Sequence, residues 1–308
     1  MSQIKSVSIV GMGALGVMFG ALFARELGGQ SVTFIADNKR IQRYREEGVY
    51  ANGVKYEFTF SDGSNPHQFA DLLIFAVKGT ALEQAIAQAK KLVGPDTIIL
   101  SLLNGIVSEE LIGTAYNCGQ VLCSVAQGMD AVKLGNQLTY TNFGQLCIGA
   151  LTDTPEQQNA LAQVVELFNR VHMPHTVDKD IRHRMWSKWM LNVGVNQVVM
   201  VERGTYDTIQ KPGKARDMML AAMREVMALS KYEGVTLTEE DIKYYVDIVD
   251  GLNPGGMPSM RQDGIEKRPS EVTFFAGTVL EKSQKYGLDT PVNASLYQTI
   301  TEMEKDYI

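Results

Sequence analysis

Residues 6–24 constrain the fold more than any other stretch. They form a run of 19 uncharged residues between Lys5 and Arg25. That length raises a membrane span or a secretion signal as rival readings. The run even contains Gly16-x-x-x-Gly20, a spacing found in membrane helix dimers. Its internal order points elsewhere. Val7-Ser8-Ile9-Val10 is β-branched and favours a strand, while Gly11 and Gly13 interrupt any continuous helix. The segment reads as strand, glycine turn and helix, and a strand this apolar needs cover on both faces.

The same unit recurs. Short apolar runs at 6–10, 31–35, 72–77, 97–102 and 121–126 alternate with helical patterns at 14–27, 39–47 and 80–92. Repeated βα units imply an α/β fold with a doubly wound, Rossmann-type parallel sheet. Asn52-Gly53 marks a tight turn, so a small hairpin is expected within 49–60, with further strands at 137–140 and 145–148. From Thr154-Pro155-Glu156, a capping residue with proline at the first helical position, the pattern turns helical. Long helices are expected at 180–201, 214–233, 238–251, 271–286 and 292–306, with a capping box at Thr238-x-x-Asp241 and a loop at Asn253-Pro254-Gly255-Gly256. The expected organisation is a Rossmann-type domain at 1–177 and an all-helical domain at 178–308, in line with a 308-residue chain.

Composition narrows the function classes. With 45% hydrophobic and 21% charged residues the chain is globular rather than disordered. A net charge of -6 argues against general phosphate neutralisation, so no nucleic-acid partner is expected. Cys118, Cys123 and Cys147 build no disulfide framework. A reducing, cytoplasmic location is expected, with no membrane partner. The four histidines follow no zinc spacing, so no metal site is expected. Asn293-Ala294-Ser295 matches a glycosylation sequon that, without a secretion signal, reads as chance.

Gly11-Met12-Gly13-Ala14-Leu15-Gly16 is G-x-G-x-x-G between an expected strand and helix, the context that gives this motif its meaning. Gly11 allows a tight turn, Gly13 lets a pyrophosphate approach the backbone, and Gly16 lets the helix pack on the sheet. The backbone N–H groups of the first turn, Ala14 and Leu15 among them, would then meet the phosphates. The plainer alternative is a glycine-rich turn without a ligand. Asp37 lies 21 residues after Gly16, where an acidic residue holds the ribose hydroxyls of NAD. It would repel a 2′-phosphate, whereas Lys39 and Arg40 would attract one. Both NAD(H) and NADP(H) stay open, as does a merely solvated helix start.

Lys188, Asn192 and Asn196 are spaced i, i+4, i+8 and share one helical face among apolar neighbours. Asparagine is a poor interior helix former, and a buried amide demands partners. A cleft holding a small oxygenated ligand would supply them; a helix–helix contact is the alternative. Further on stand Ser259-Met260-Arg261-Gln262-Asp263 and Arg268-Pro269-Ser270-Glu271, with Glu271 expected in the first turn of a helix. A glutamate there serves as capping partner or as catalyst.

In these features the chain resembles the ketopantoate reductase (2-dehydropantoate 2-reductase) family over nearly its full length. The shared elements are Gly11–Gly16, Val77-Lys78, Asn104-Gly105, Lys188…Asn192…Asn196, Ser259-Met260-x-Gln262-Asp263 and Arg268-x-x-Glu271. The resemblance implies a Rossmann domain, a helical domain and an active site in the cleft between them. It implies hydride transfer from NADPH to the ketone carbon of a 2-oxo acid. Lys188 then matches the catalytic lysine that protonates the nascent alkoxide. Glu271 matches the glutamate that positions the substrate hydroxyl and the lysine. Asn192, Asn196 and Ser259 match substrate-binding positions. Lys78 and Asn104 match positions near cofactor and substrate, and Asp263 a supporting one.

Two departures stand out. Many members carry an arginine where this chain has Asp37, and a proline where it has Gln197. The family also includes NAD-linked dehydrogenases of branched or bulky D-2-hydroxy acids. The leading expectation is an NADPH-dependent reductase converting 2-dehydropantoate to (R)-pantoate, on the route to pantothenate and coenzyme A. An NAD-dependent D-2-hydroxyacid dehydrogenase is the second. A non-catalytic dinucleotide-binding sensor is the third, which the lysine and glutamate oppose. The only expected partner is the small-molecule 2-oxo acid, with the chain a monomer or homodimer. The Met218, Met219, Met223, Met227 stripe reads as core before interface.

Overall fold

The computed structural model describes residues 3–64, 69–117 and 120–307. Cys118 lies outside them; Cys123 and Cys147 are buried free thiols. The chain packs as two compact units, Met1–Leu103 with Val107–Ile181, and Asn104–Ile106 with Arg182–Ile308. The sequence-based division at 177/178 falls in the connection that precedes the first long helix of the second unit.

The strands and helices of the first unit are β1 (Val7–Val10), α1 (Ala14–Leu27), β2 (Val32–Ile35), α2 (Asn38–Glu47), β3 (Val49–Ala51), β4 (Val54–Tyr56), β5 (Thr59–Ser61), β6 (Leu72–Phe75), α3 (Leu82–Ala89), β7 (Ile98–Ser101), α4 (Ser108–Tyr116), β8 (Val121–Gln127), β9 (Val132–Leu134), β10 (Gln137–Thr139), β11 (Gln145–Gly149), α5 (Pro155–Arg170) and β12 (His175–Val177). The main sheet runs β12-β11-β8-β7-β6-β1-β2-β5. All its pairs are parallel except β8 with β11. A smaller sheet runs β4-β3-β10-β9. Because β1 lies between β2 and β6, the strand order reverses beside β1. The turns after β1 and β6 therefore share the carboxyl edge at a topological switch point, where this fold binds ligands.

The sheet is doubly wound because its strands are apolar on both faces. Ile9, Phe34, Leu72 and Leu100 join one core with Val17, Phe23, Val164 and Phe168 from α1 and α5. Val10, Leu73, Phe75 and Ile99 join another with Leu82, Ala85 and Ile112 from α3 and α4. The Gly16/Gly20 spacing serves this packing. A Cβ on Gly20 would meet Phe34 Cζ at 2.6 Å, so only glycine lets α1 lie this close to β2. Among the described residues no helix is long and apolar enough to cross a membrane.

Two sequence expectations change in the first unit. The hairpin is confined to β3 and β4, around Asn52 and Gly53 with their positive φ angles; the end of the 49–60 stretch continues instead into β5, which pairs with β2 in the main sheet. Helix α4 is additional. It is short, with Glu109 and Glu110 in its first turn as its main sequence signal.

The second unit comprises α6 (Ile181–Val201), α7 (Asp207–Gln210), α8 (Lys214–Ser230), α9 (Glu239–Asp250), α10 (Ser259–Ile265), a π-helical turn (Thr273–Gly277), α11 (Thr278–Tyr286) and α12 (Pro291–Glu304). Its core takes Trp189, Val193 and Val198 from α6, Met219, Met223 and Val226 from α8, and Phe275, Leu296 and Ile300 from the later elements. Met219 and Met223 are thus core residues. The Thr238–Asp241 capping box opens α9, with Thr238 N donating to Asp241 Oδ2 at 2.8 Å. The helix expected over 271–286 is regular only from Thr278, because a π-helical turn precedes it.

One acid in the first unit is unusual. Glu109 is buried and accepts a 2.8 Å bond from Ser108 Oγ, itself 2.9 Å from Ser101 Oγ. Burial pushes its carboxyl up to about 7, against the Ser108 bond, which lowers it. The folded protein therefore holds a proton that the unfolded chain has already lost, and stability falls as pH rises from about 4.5 to about 7. Glu109→Gln should abolish this loss. The variant should gain on the order of 2–3 kcal/mol relative to wild type between pH 5 and pH 8. Thermal melts across that range would show the two converging at the acidic end.

Candidate active site

The turn after β1 is built on close approach. Gly11 has φ +105°, and a Cβ there would meet the Ala76 carbonyl oxygen at 2.6 Å. A Cβ on Gly16 would fall on the carbonyl oxygen of Gly11. Gly13 differs: it is exposed, and a Cβ there would come no nearer than 3.6 Å to Ala76. It is the N-cap of α1, whose first turn has no side-chain cap and no acidic residue. The amides of Ala14, Leu15 and Gly16 thus open α1 with the positive end of its dipole. A glycine floor beneath uncapped amides fits a pyrophosphate, and a side chain at 13 would fill the space it needs.

Asp37 is the N-cap of α2. Its Oδ1 accepts the Arg40 backbone N–H at 2.8 Å, and its Oδ2 lies 3.3 Å from Arg40 Nε. Asp37, Lys39 and Arg40 are all exposed. Their charges therefore stand in solvent beyond the end of β2, with the guanidinium drawn onto the carboxylate. Lys78 follows β6, exposed at the sheet's carboxyl edge.

In the second unit a polar group forms around α6. Lys188 Nζ donates to Asn104 Oδ1 at 3.4 Å, and Asn104 Nδ2 donates to Glu271 Oε2 at 3.3 Å. Asn104 thus bridges a half-buried ammonium and a buried carboxylate, its carbonyl toward the first and its N–H toward the second. Asn192 and Asn196 follow on the same face, at 8% and 7% exposure. Among the described residues neither amide has a hydrogen-bond partner. Neither amide is among the buried polar atoms left without a partner, so both keep contact with solvent, and together with the lysine they offer donors and acceptors to an oxygen-rich ligand. Ser259 opens α10 and is exposed, with no hydrogen bond to this group. The structure therefore ties together Lys188, Asn104 and Glu271, stacks Asn192 and Asn196 beside them on α6, and does not tie in Ser259.

Asp263 and Arg268 act on the chain leading to Glu271. Buried Asp263 accepts from Arg268 Nε at 3.0 Å and Nη2 at 2.8 Å, and its carbonyl accepts the Arg268 backbone N–H at 2.9 Å. Ser270 Oγ then accepts Val272 N–H at 3.2 Å, and the Glu271 carbonyl accepts from Phe274 and Phe275 at 2.9 and 3.1 Å. Glu271 therefore stands at the head of the π-helical turn. These ties join residues across loops and helices, and no local pattern announces them.

Comparison with known proteins bears on this arrangement. The family model "Ketopantoate reductase PanE/ApbA" matches residues 7–153, and "Ketopantoate reductase PanE/ApbA C terminal" matches residues 180–304. The chain belongs to the ketopantoate reductase family. It is similar to the 2-dehydropantoate 2-reductase of Archaeoglobus fulgidus, 27% identical over 307 residues, covering 98% of this chain and 99% of that one. The 2-dehydropantoate 2-reductase of Vibrio cholerae is 27% identical over 238 residues, 77% of this chain and 79% of its own length. Among solved structures, the ketopantoate reductase of Ralstonia eutropha JMP134 superposes with a TM-score of 0.84 at 23% identity, covering 98% and 99% of the two chains. A D-mandelate dehydrogenase in ternary complex with NADH and anilino(oxo)acetate gives 0.88 at 23% identity, again over 98% and 99%. At that identity both likenesses concern the fold.

As a member of the ketopantoate reductase family, the chain is an oxidoreductase of 2-oxo acids. In this member the Asp263–Arg268 pair is a structural staple. Arg268→Ala leaves a buried carboxylate without its guanidinium and should destabilise the protein by about 1–3 kcal/mol. Chemical denaturation of the two proteins side by side checks this.

Proposed function

We propose that this protein reduces 2-dehydropantoate to (R)-pantoate, with NADPH as the reductant that family membership favours. The observation that carries the reading is the set around α6: an ammonium bridged through Asn104 to a buried carboxylate, beside two asparagine amides without protein partners. A substrate with a ketone, a carboxylate and a hydroxyl offers such a surface one acceptor for the ammonium and several for the amides.

In this reading the glycine turn, the amides of Ala14, Leu15 and Gly16, and Lys78 hold the dinucleotide. When bound, the reduced nicotinamide supplies the hydride that reaches the ketone carbon. Lys188 donates a hydrogen bond to the ketone oxygen, stabilises the negative charge that develops there, and delivers the proton that completes the alcohol. Asn104 accepts one ammonium N–H and so aims the others. Glu271 fixes Asn104 from the far side and accepts from the substrate hydroxyl. Asn192, Asn196 and Ser259 orient the substrate by neutral hydrogen bonds. The Lys188/Glu271 pair has no use in a sensor without turnover, which sets this reading above a dinucleotide-binding sensor.

Asp37 favours a second reading for the cofactor and physiology: an NAD-linked dehydrogenase of another branched or bulky D-2-hydroxy acid. A carboxylate at the end of β2 suits ribose hydroxyls, and it already engages the Arg40 guanidinium that a 2′-phosphate would need. Initial rates with 2-dehydropantoate and equal NADPH or NADH separate the two readings. Asp37→Ala should raise the NADPH-to-NADH ratio of kcat/KM by about five- to tenfold, and Arg40→Ala should lower it by a similar factor.

Lys188→Ala tests the chemistry itself. Its kcat should fall by about 100-fold or more. Dinucleotide affinity, read by quenching of protein fluorescence, should stay close to that of wild type. Near-normal turnover in this variant would overturn the assignment.

A further inference from the structure

The π-helical turn that follows Glu271 is held by two side chains of α6. In a π-turn the backbone bonds span five residues, so one N–H loses its α-helical acceptor. Here the Val272 carbonyl accepts from Gly277 at 3.0 Å, and the N–H of Ala276 turns to Gln197 Oε1 at 3.1 Å. Three residues from the head of the turn, the Phe274 carbonyl accepts the indole N–H of Trp189 at 2.9 Å. Gln197 and Trp189 are almost fully buried, at 0% and 1% exposure.

Gln197 is in turn held on its other side. Its Nε2 donates to the Val193 carbonyl at 2.7 Å and to Asn293 Oδ1 at 3.4 Å. Asn293, also fully buried, donates from Nδ2 to Glu225 Oε2 at 2.7 Å and to the Ala222 carbonyl at 3.3 Å. The Glu225 carboxylate takes the backbone N–H groups of Val292 and Asn293 at 2.8 and 2.9 Å, at the start of α12. A satisfied polar chain thus runs from α8 through α12 and α6 to the π-turn. Buried networks of this kind rigidify what they join. Trp189 is adjacent to Lys188 in sequence, and Gln197 is adjacent to Asn196.

We propose that Gln197 and Trp189 are positioning residues for the reduction: they clamp the π-turn to the helix that carries Lys188, and so fix Glu271, Asn104 and Lys188 in register. The inference rests on the reading of those three residues as the reacting group. Without the Gln197 acceptor, the Ala276 N–H recovers a partner most simply by relaxing the turn toward an α-helix. That rotation moves the Glu271 end of the segment relative to α6. A misplacement of about 1 Å in such a site costs up to about 100-fold in rate.

The test uses the full-length protein and steady-state reduction of 2-dehydropantoate. Gln197→Met keeps the volume and removes both polar functions. Trp189→Phe removes the indole N–H. Each should lower kcat by about tenfold to 100-fold while KM changes far less. Gln197→Glu supplies the rescue. In this buried site its carboxyl is driven to the neutral form, which keeps an oxygen for Ala276 N–H and a hydroxyl for Asn293. It should recover most of the lost kcat. Val226→Ala, a core change in α8 outside the site, controls for stability loss alone: it should lower Tm and leave kcat intact. Wild-type kcat in Gln197→Met and Trp189→Phe, or no recovery in Gln197→Glu, would overturn the clamp. Absence of turnover in the wild type with every 2-oxo acid would overturn the proposed function and the clamp with it.

Discussion

Helix α6 lies at the centre of the second unit, and the hydrogen bonding of its buried polar side chains organises what surrounds it. A helix packed on nearly every side offers little water to amides, indoles or ammonium groups, so most of them take protein partners. Trp189 and Gln197 find theirs on the backbone of the π-turn, and Lys188 finds one in Asn104. Asn192 and Asn196 find none among the described residues, and they are the amides that the proposed function gives to the substrate.

The first unit works by the opposite means, through absence of side chains. At the β1–α1 turn the glycines bring backbone within reach of backbone, and the α1 amides are left uncapped. Rigidity comes from the strands beneath, which are buried on both faces and parallel across the switch point. Asp37, Lys39 and Arg40 stand exposed at the rim beyond β2, where solvent and salt screen their charges. Under the proposed function, substitutions there would tune cofactor preference at little cost to the fold, whereas a side chain at Gly11 or Gly16 would run into backbone.

Under the proposed function, the π-turn links fold to chemistry within the second unit. An α-helix starting after Ser270 would satisfy its own backbone and need nothing from α6. The π-turn gives up that self-sufficiency and becomes dependent on Gln197. In exchange, Glu271 is held by tertiary bonds rather than by helix geometry alone. The Asp263–Arg268 pair fixes the approach to the same point from the other direction.

What the sequence by itself determined is what local patterns carry. Short apolar runs alternating with helical ones specified the parallel sheet, β-branched residues before glycines specified the turn at Gly11–Gly16, and the i, i+4, i+8 spacing put Lys188, Asn192 and Asn196 on one face. These are properties of neighbours in the chain, and helix and strand periodicity makes them legible. Tertiary structure alone decided the rest. β5 left the hairpin for the main sheet because β2 offered it a free edge. Asp37 proved to be a helix cap as well as a rim charge. Asn104 reached Glu271 across 167 positions of sequence, and Gln197 reached Ala276 across 79. No periodicity encodes such pairings, because they depend on which buried polar groups are left unsatisfied once the helices have packed.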